Sequence, residues 1–185
     1  MTMNHAALTR EQVDACSRIL KEELIAATGC TEPIAIAYCA ALAARALGKK
    51  PEAVSACCSG NIIKNTKTVT VPNTGGLKGM KAAVLAGAFY GDAARGLETL
   101  AGLSREAAED IARLMREMEV PISLLDAGHA LHIRVTCQAG DDRAEAEIVD
   151  SHTHVAGVWR NGRLLSAGGA PEGKPAPAPR DVLSL

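Results

Sequence analysis

Cys30 stands in the segment Gly29-Cys30-Thr31-Glu32-Pro33, where one long helical pattern stops and another begins. Gly29 suits the left-handed residue that closes a helix. Thr31 fits an N-cap, and Pro33 falls in the first turn, where its missing N–H does no harm. Cys30 is therefore expected beside the free N–H groups and positive end of a helix. That setting favours thiolate, the form that attacks electrophiles and binds metal.

Two further polar clusters interrupt an otherwise apolar chain. The first is Asn61, Lys64 and Asn65 within Ser59-Gly60-Asn61-Ile62-Ile63-Lys64-Asn65, leading on to Asn73-Thr74-Gly75-Gly76. A Gly-Gly turn after a strand offers N–H donors to a carboxylate or phosphate, and is also an ordinary turn. Lys64 could hold a substrate carboxylate or act as a base, or could simply be solvated. The second cluster is Ser151-His152-Thr153-His154. With a strand period of two, His152 and His154 would share a face, placed to shuttle protons, bind metal or pack structurally.

The elements that must position these groups follow from periodicity. Thr9-Arg10-Glu11-Gln12 fits a capping box, and Val13, Cys16, Leu20 and Leu24 recur at helical spacing over 9–27. Residues 32–47 are apolar on nearly every face, as in a helix buried at the centre of a domain. Thr68-Val69-Thr70-Val71 reads as a strand. A helix rich in small residues is predicted over 80–90, and one with a charged face over 104–118. The last third alternates over 130–138 and 143–150, joined by Ala139-Gly140-Asp141-Asp142. A second strand pair, 152–159 and 163–165, surrounds Asn161-Gly162, a strong hairpin signal. The predicted fold is α+β: N-terminal helices around a buried central helix, followed by a mainly antiparallel sheet. Residues 1–165 form the expected domain. Residues 166–185, rich in Pro, Gly and Ala, read as a linker into a second half that is absent.

Composition narrows the classes. The 185 residues are 48% hydrophobic, enough for a core, yet aromatics number four (Tyr38, Phe89, Tyr90, Trp159), so Ala, Leu, Ile and Val must fill it. A net charge of −1 argues against nucleic-acid binding. No stretch has the uncharged apolar length of a membrane span, and the N-terminus lacks a signal peptide's apolar core, so the expected location is cytoplasmic. Six scattered cysteines without a C-x-x-C pair read mostly as small buried hydrophobes, with Cys30 the exception.

Taken in order, Gly29-Cys30-Thr31-Glu32-Pro33-Ile34, Ser59-Gly60-Asn61-Ile62-Ile63-Lys64-Asn65, Val69-Thr70-Val71-Pro72-Asn73-Thr74-Gly75 and His152-Thr153-His154 resemble the N-terminal half of the serine dehydratase-like, iron–sulfur-dependent L-cysteine desulfidase family. The resemblance spans roughly residues 10–165. It implies a lyase converting L-cysteine, or L-serine, to pyruvate, ammonia and sulfide, or water. It implies a [4Fe–4S] cluster held by three cysteines, with Cys30 as one metal ligand and the others in a C-terminal half or partner subunit. Thr31, Glu32, Asn61, Asn65, Asn73, Thr74 and Gly75 become candidates for binding a small amino-acid substrate. Lys64, His152 and His154 become the catalytic candidates.

Two other readings stand beside it. One is a non-catalytic module that binds a small amino acid and regulates a partner. The other is an enzyme with Cys30 as nucleophile and His152 or His154 as its base. In each case an apolar face uncovered by a missing half would favour self-association, so a homo-oligomer is a further expectation.

Overall fold

The computed structural model describes residues 8–23, 27 and 29–167, and its contacts divide the chain into one unit of residues 27–170 and another of residues 1–26 with 171–185. In the smaller unit, helix α1 (Arg10–Glu23) opens with the predicted capping box. The Gln12 N–H donates to Thr9 Oγ1 at 3.2 Å, and the Thr9 N–H donates to Gln12 Oε1 at 3.0 Å.

The larger unit is built around α2 (Thr31–Leu47), whose residues are mostly buried, as its all-round apolar pattern requires. Gly48, at φ 73°, ends it and donates its N–H to Ala44 O at 3.1 Å. Helices α3 (Gly60–Thr66), α4 (Gly79–Tyr90) and α5 (Arg105–Glu117) complete the helical set, with a 3-10 turn over Ala93–Glu98. Ser104 caps α5, accepting from the Ala107 N–H at 3.2 Å.

Strands β1 (Ala53–Cys58), β2 (Ile122–Leu124), β3 (His132–Ala139), β4 (Asp142–Val149), β5 (Val155–Arg160) and β6 (Arg163–Ala167) form one sheet. Its order is β2-β1-β3-β4-β5-β6, and only the β1–β2 pairing is parallel. The predicted α+β class and mainly antiparallel sheet are therefore observed. α2 packs on β3, β4 and β5. Ile133, Val135, Cys137, Ala144, Ala146 and Ile148 alternate onto the buried face. Ile34, Ile36, Leu85 and Ile133 are fully buried, each worth roughly 1.5–3 kcal/mol relative to exposure. On the opposite face, Arg134 pairs with Glu147 at 2.9 Å and Thr136 with Glu145 at 3.2 Å, in the cross-strand positions that β3 and β4 bring together.

The structure departs from the sequence reading at four places. Thr68-Val69-Thr70-Val71 does not join the sheet. The chain turns back at Pro72, leaving one bridge between Thr70 and Lys78 and a Val71 N–H bond to Leu77 O at 2.8 Å. The polar stretch after Ser59 is the helix α3, held by burial of Ile62 and Thr66 one turn apart rather than by propensity. Strand β2 was not anticipated, because three residues carry no period. β6 continues to Ala167, two residues into the predicted linker, and residues 168–185 lie outside the described residues.

Candidate active site at the start of the buried helix

Gly29 has φ 91°, and a Cβ there would meet Pro72 Cγ at 2.9 Å. A glycine therefore lets the backbone before α2 lie against the Pro72 turn. Cys30, not Thr31, occupies the N-cap position and makes no side-chain cap bond; Thr31 is the first helical residue. The exposed Cys30 Sγ donates to Glu32 Oε2 at 3.2 Å. Thr31 Oγ1 reaches the same oxygen at 3.4 Å, and Asn65 Nδ2 on α3 donates to Glu32 Oε1 at 3.4 Å. One carboxylate thus gathers donors from two helices.

The electrostatics correct the expectation of a thiolate. Partial burial, and then the hydrogen bond to Glu32, push the Cys30 thiol above its ordinary range. Glu32 moves the other way. The Cys30 hydrogen bond holds its carboxyl below the usual range against an opposing desolvation, helped by its own helix-terminal N–H, the charge of His152, and Asn65. The helix N-terminus does favour an anion, and Glu32 is the group that takes that role.

The other predicted residues divide between this cluster and the turns around it. Asn61, Lys64 and Asn65 occupy one exposed face of α3, opposite Ile62 and Thr66. The charge of His152 helps to hold the Glu32 carboxyl low. His152 and His154 do not share a strand face. Both precede β5, in a tight turn where Asp150 has φ 65° and the His154 N–H bonds to Ser151 O at 3.2 Å. His154 Nδ1 lies 3.0 Å from Val149 O, and since a carbonyl can only accept, Nδ1 carries the proton. Asn73, at φ 60°, donates to Leu100 O at 3.0 Å, and buried Thr74 donates to Val71 O at 2.7 Å, so both side chains hold the turn. Gly75 has φ 70° and open space around it.

Cys39, Cys58 and Cys137 are buried, as their apolar setting predicts, and burial pushes the Cys58 and Cys137 thiols to about 12. Cys57 pairs with Ser123 Oγ at 2.9 Å. Among the described residues no group of three His, Cys, Asp or Glu side chains is close enough to hold a metal ion. Cys30 suits a single ligand position, as an exposed thiol at a loop–helix junction; the described residues do not by themselves make a cluster site. Sequence reasoning passed over His132, Glu147 and Arg134, which form a connected network where β3 begins. Their only signal was strand alternation, which puts His132, Arg134 and Glu147 on the polar face.

Fold and site define an α+β domain with a thiol–carboxylate pair at the mouth of its central helix. No family model matches the chain. It is 40% identical over 159 residues to a UPF0597 protein of Treponema denticola, covering 86% of this chain and 37% of that protein. To a UPF0597 protein of Desulfitobacterium hafniense it is 43% identical over 147 residues, covering 80% of this chain and 34% of the relative. A Lachnoclostridium phytofermentans UPF0597 protein gives 42% over 144 residues, with 78% and 34% covered. The chain thus spans about a third of the length of these relatives. Their names correct the resemblance drawn from the motif blocks: the relatives are UPF0597 proteins, and none of these names is serine dehydratase-like. The short motifs reported shared sequence blocks, which did not suffice to place the family.

Proposed function

We propose that this chain supplies one side of the site of a [4Fe–4S]-dependent lyase acting on L-cysteine or L-serine. L-cysteine and water give pyruvate, ammonia and sulfide; L-serine gives pyruvate and ammonia, its water being lost and regained. The supporting observation is that Cys30, at the start of α2, and Asn65, on α3, both donate hydrogen bonds to the one carboxylate of Glu32. Cys30 would hold one corner of the cluster, the remaining ligands coming from a C-terminal half or partner subunit. When bound, the cluster supplies a Lewis-acidic iron at the leaving group on Cβ.

The chain's own groups suit the rest of the task. Ionised Glu32 and the amide of Asn65 offer an acceptor and a polar wall for a substrate ammonium. His152, half-buried in the turn before β5, is a candidate to carry a proton, and Lys64 lies on the same α3 face as Asn65. No helix among the described residues is long and apolar enough to cross a membrane. Free cysteines fit a reducing, cytoplasmic compartment. A second reading, a module that binds a small amino acid without turning it over, is favoured by the Cys30 Sγ donating to Glu32 Oε2, which engages the thiol within the polar cluster.

The test is anaerobic reconstitution with iron and sulfide, alone and mixed with the part of a longer relative that this chain does not span. The expected result is visible cluster absorption and pyruvate formation from L-cysteine in the mixture, both lost in Cys30→Ala. Unchanged iron content in Cys30→Ala removes the ligand assignment. Binding of L-cysteine without cluster or pyruvate selects the second reading.

A further inference from the structure

Sequence motifs point to none of β3, yet His132 at its start is 5% exposed and tied to the segment that delivers Asn65 to Glu32. Its backbone is bolted to Ser59, the residue before α3. The Ser59 N–H donates to His132 O at 2.8 Å, and the His132 N–H donates to Ser59 Oγ at 3.3 Å. Ser59 Oγ itself donates to Ala130 O at 2.9 Å, and this hydroxyl makes no cap bond to α3. The start of α3, and with it Asn65, is thus tied through backbone bonds to the residue that carries the buried ring.

The ring faces β4. His132 Nε2 bonds Glu147 Oε1 on β4, an oxygen that Arg134 Nη2 also reaches at 2.9 Å. Burial works against ionising Glu147, but the bonds from His132 and Arg134 hold its carboxyl below the usual range. Nε2–H is therefore the donor, and the ring's orientation is fixed. Beyond Glu147, β4 ends and the chain enters the turn bearing His152. That turn is tied back to the start of β3 by the Asp150 N–H to Leu131 O at 3.0 Å and by His129 Nδ1 to Asp150 Oδ1 at 2.8 Å. The His129 ring meets the His132 ring edge-on, 5.4 Å between centroids.

One atom argues against a role in stability alone. His132 Nδ1 is buried and has no hydrogen-bond partner among the described residues. A buried orphan nitrogen carries a desolvation cost that an apolar side chain of similar size would avoid. What the imidazole provides instead is a rigid, planar donor aimed at one carboxylate.

We propose that the buried His132–Glu147 pair is a positioning element of the candidate site, holding the start of β3 against β4 so that α3, which leaves the sheet beside His132, presents Asn65 to Glu32. This rests on the Cys30–Glu32–Asn65 grouping being the site, and not on the chemistry performed there. Its readouts need no turnover, so failure of the lyase reading leaves them interpretable.

The experiment follows the Asn65 side-chain amide by NMR, together with peptide-resolved alkylation of Cys30, in wild type, His132→Gln and Glu147→Gln. Glu147→Gln keeps shape and an acceptor oxygen while removing the charge. In the variants the Asn65 amide should move toward its position in Glu32→Gln. Cys30 alkylation should change about twofold or more, the lower end of coupling within one network, because the Sγ–Glu32 hydrogen bond is remade when Asn65 moves. Folded variants with wild-type Asn65 shifts and Cys30 rates would overturn the proposal. So would unfolding of both, since a purely structural role would then account for the pair.

Discussion

Gly87→Ala tests whether the position of α2, and hence of Cys30, depends on contact between two helix backbones. A Cβ built at Gly87 on α4 lies 2.0 Å from Ala37 O and 2.6 Å from both Ala37 C and Cα. Those atoms belong to the backbone of a helix with the sheet behind it, so no flexible side chain can give way. To reach ordinary contact, α4 and α2 must part by more than 1 Å, a shift estimated as roughly the deficit below a normal carbon–oxygen separation. Overpacking of this kind costs typically about 1–3 kcal/mol, and a clash with backbone belongs at the upper end. Replacing a mid-helix glycine by alanine returns about 1 kcal/mol of helix propensity. The net loss is about 2 kcal/mol, or a fall in Tm of about 4–8 °C for a chain of this size. Thermal unfolding followed by circular dichroism measures it, and the Cys30 alkylation rate should change in the same variant as α2 shifts. A Tm equal to or above wild type would refute the close approach.

Two further outcomes follow from the electrostatics. Glu32→Gln removes the anion that helps hold Cys30 as a thiol, so its pKa should fall and alkylation at neutral pH should quicken; an unchanged or slower rate would contradict the geometry. Asp142 has its carboxyl lowered from 3.8 to about 2, first by the Asn161 hydrogen bond and then by Lys49. A carboxylate depressed in the folded state stabilises it above the unfolded pKa, and that contribution disappears as pH falls through the folded value. Wild type should therefore be more stable than Asp142→Asn at neutral pH, and the gap should close between pH about 4 and about 2 in urea unfolding. A gap independent of pH would remove Asp142 from the set of groups linking stability to pH.

The long elements were legible because their signals are local and repeated. The all-apolar helix over 31–47, the small-residue helix, the alternating strands and the Asn161-Gly162 hairpin all read directly, since each must bury a face whose period is written in the residues. The capping box at Thr9 and Gln12 read equally well. Short elements did not. α3 carries Gly60 at its start and two isoleucines in seven residues, so only burial of Ile62 and Thr66 against the rest of the domain makes it a helix. The bulged end of β4 and the left-handed Asp150 turned the histidine pair out of a strand, which no alternation pattern reveals.

For the candidate site, residue types and their order along the chain put Cys30, Glu32, Asn65 and His152 among the candidates, beside Thr31, Asn61, Lys64, Asn73, Thr74, Gly75 and His154. Which of them touch was decided in three dimensions. The same helix terminus that suggested a thiolate at Cys30 also attracts Glu32, and only the folded geometry shows the carboxylate taking the favourable field while burial and the hydrogen bond to Glu32 push the thiol up. His132 and Glu147 are fifteen residues apart and joined by strand register alone. A contact of that kind depends on how β3 lies against β4, so it exists only once the sheet has formed.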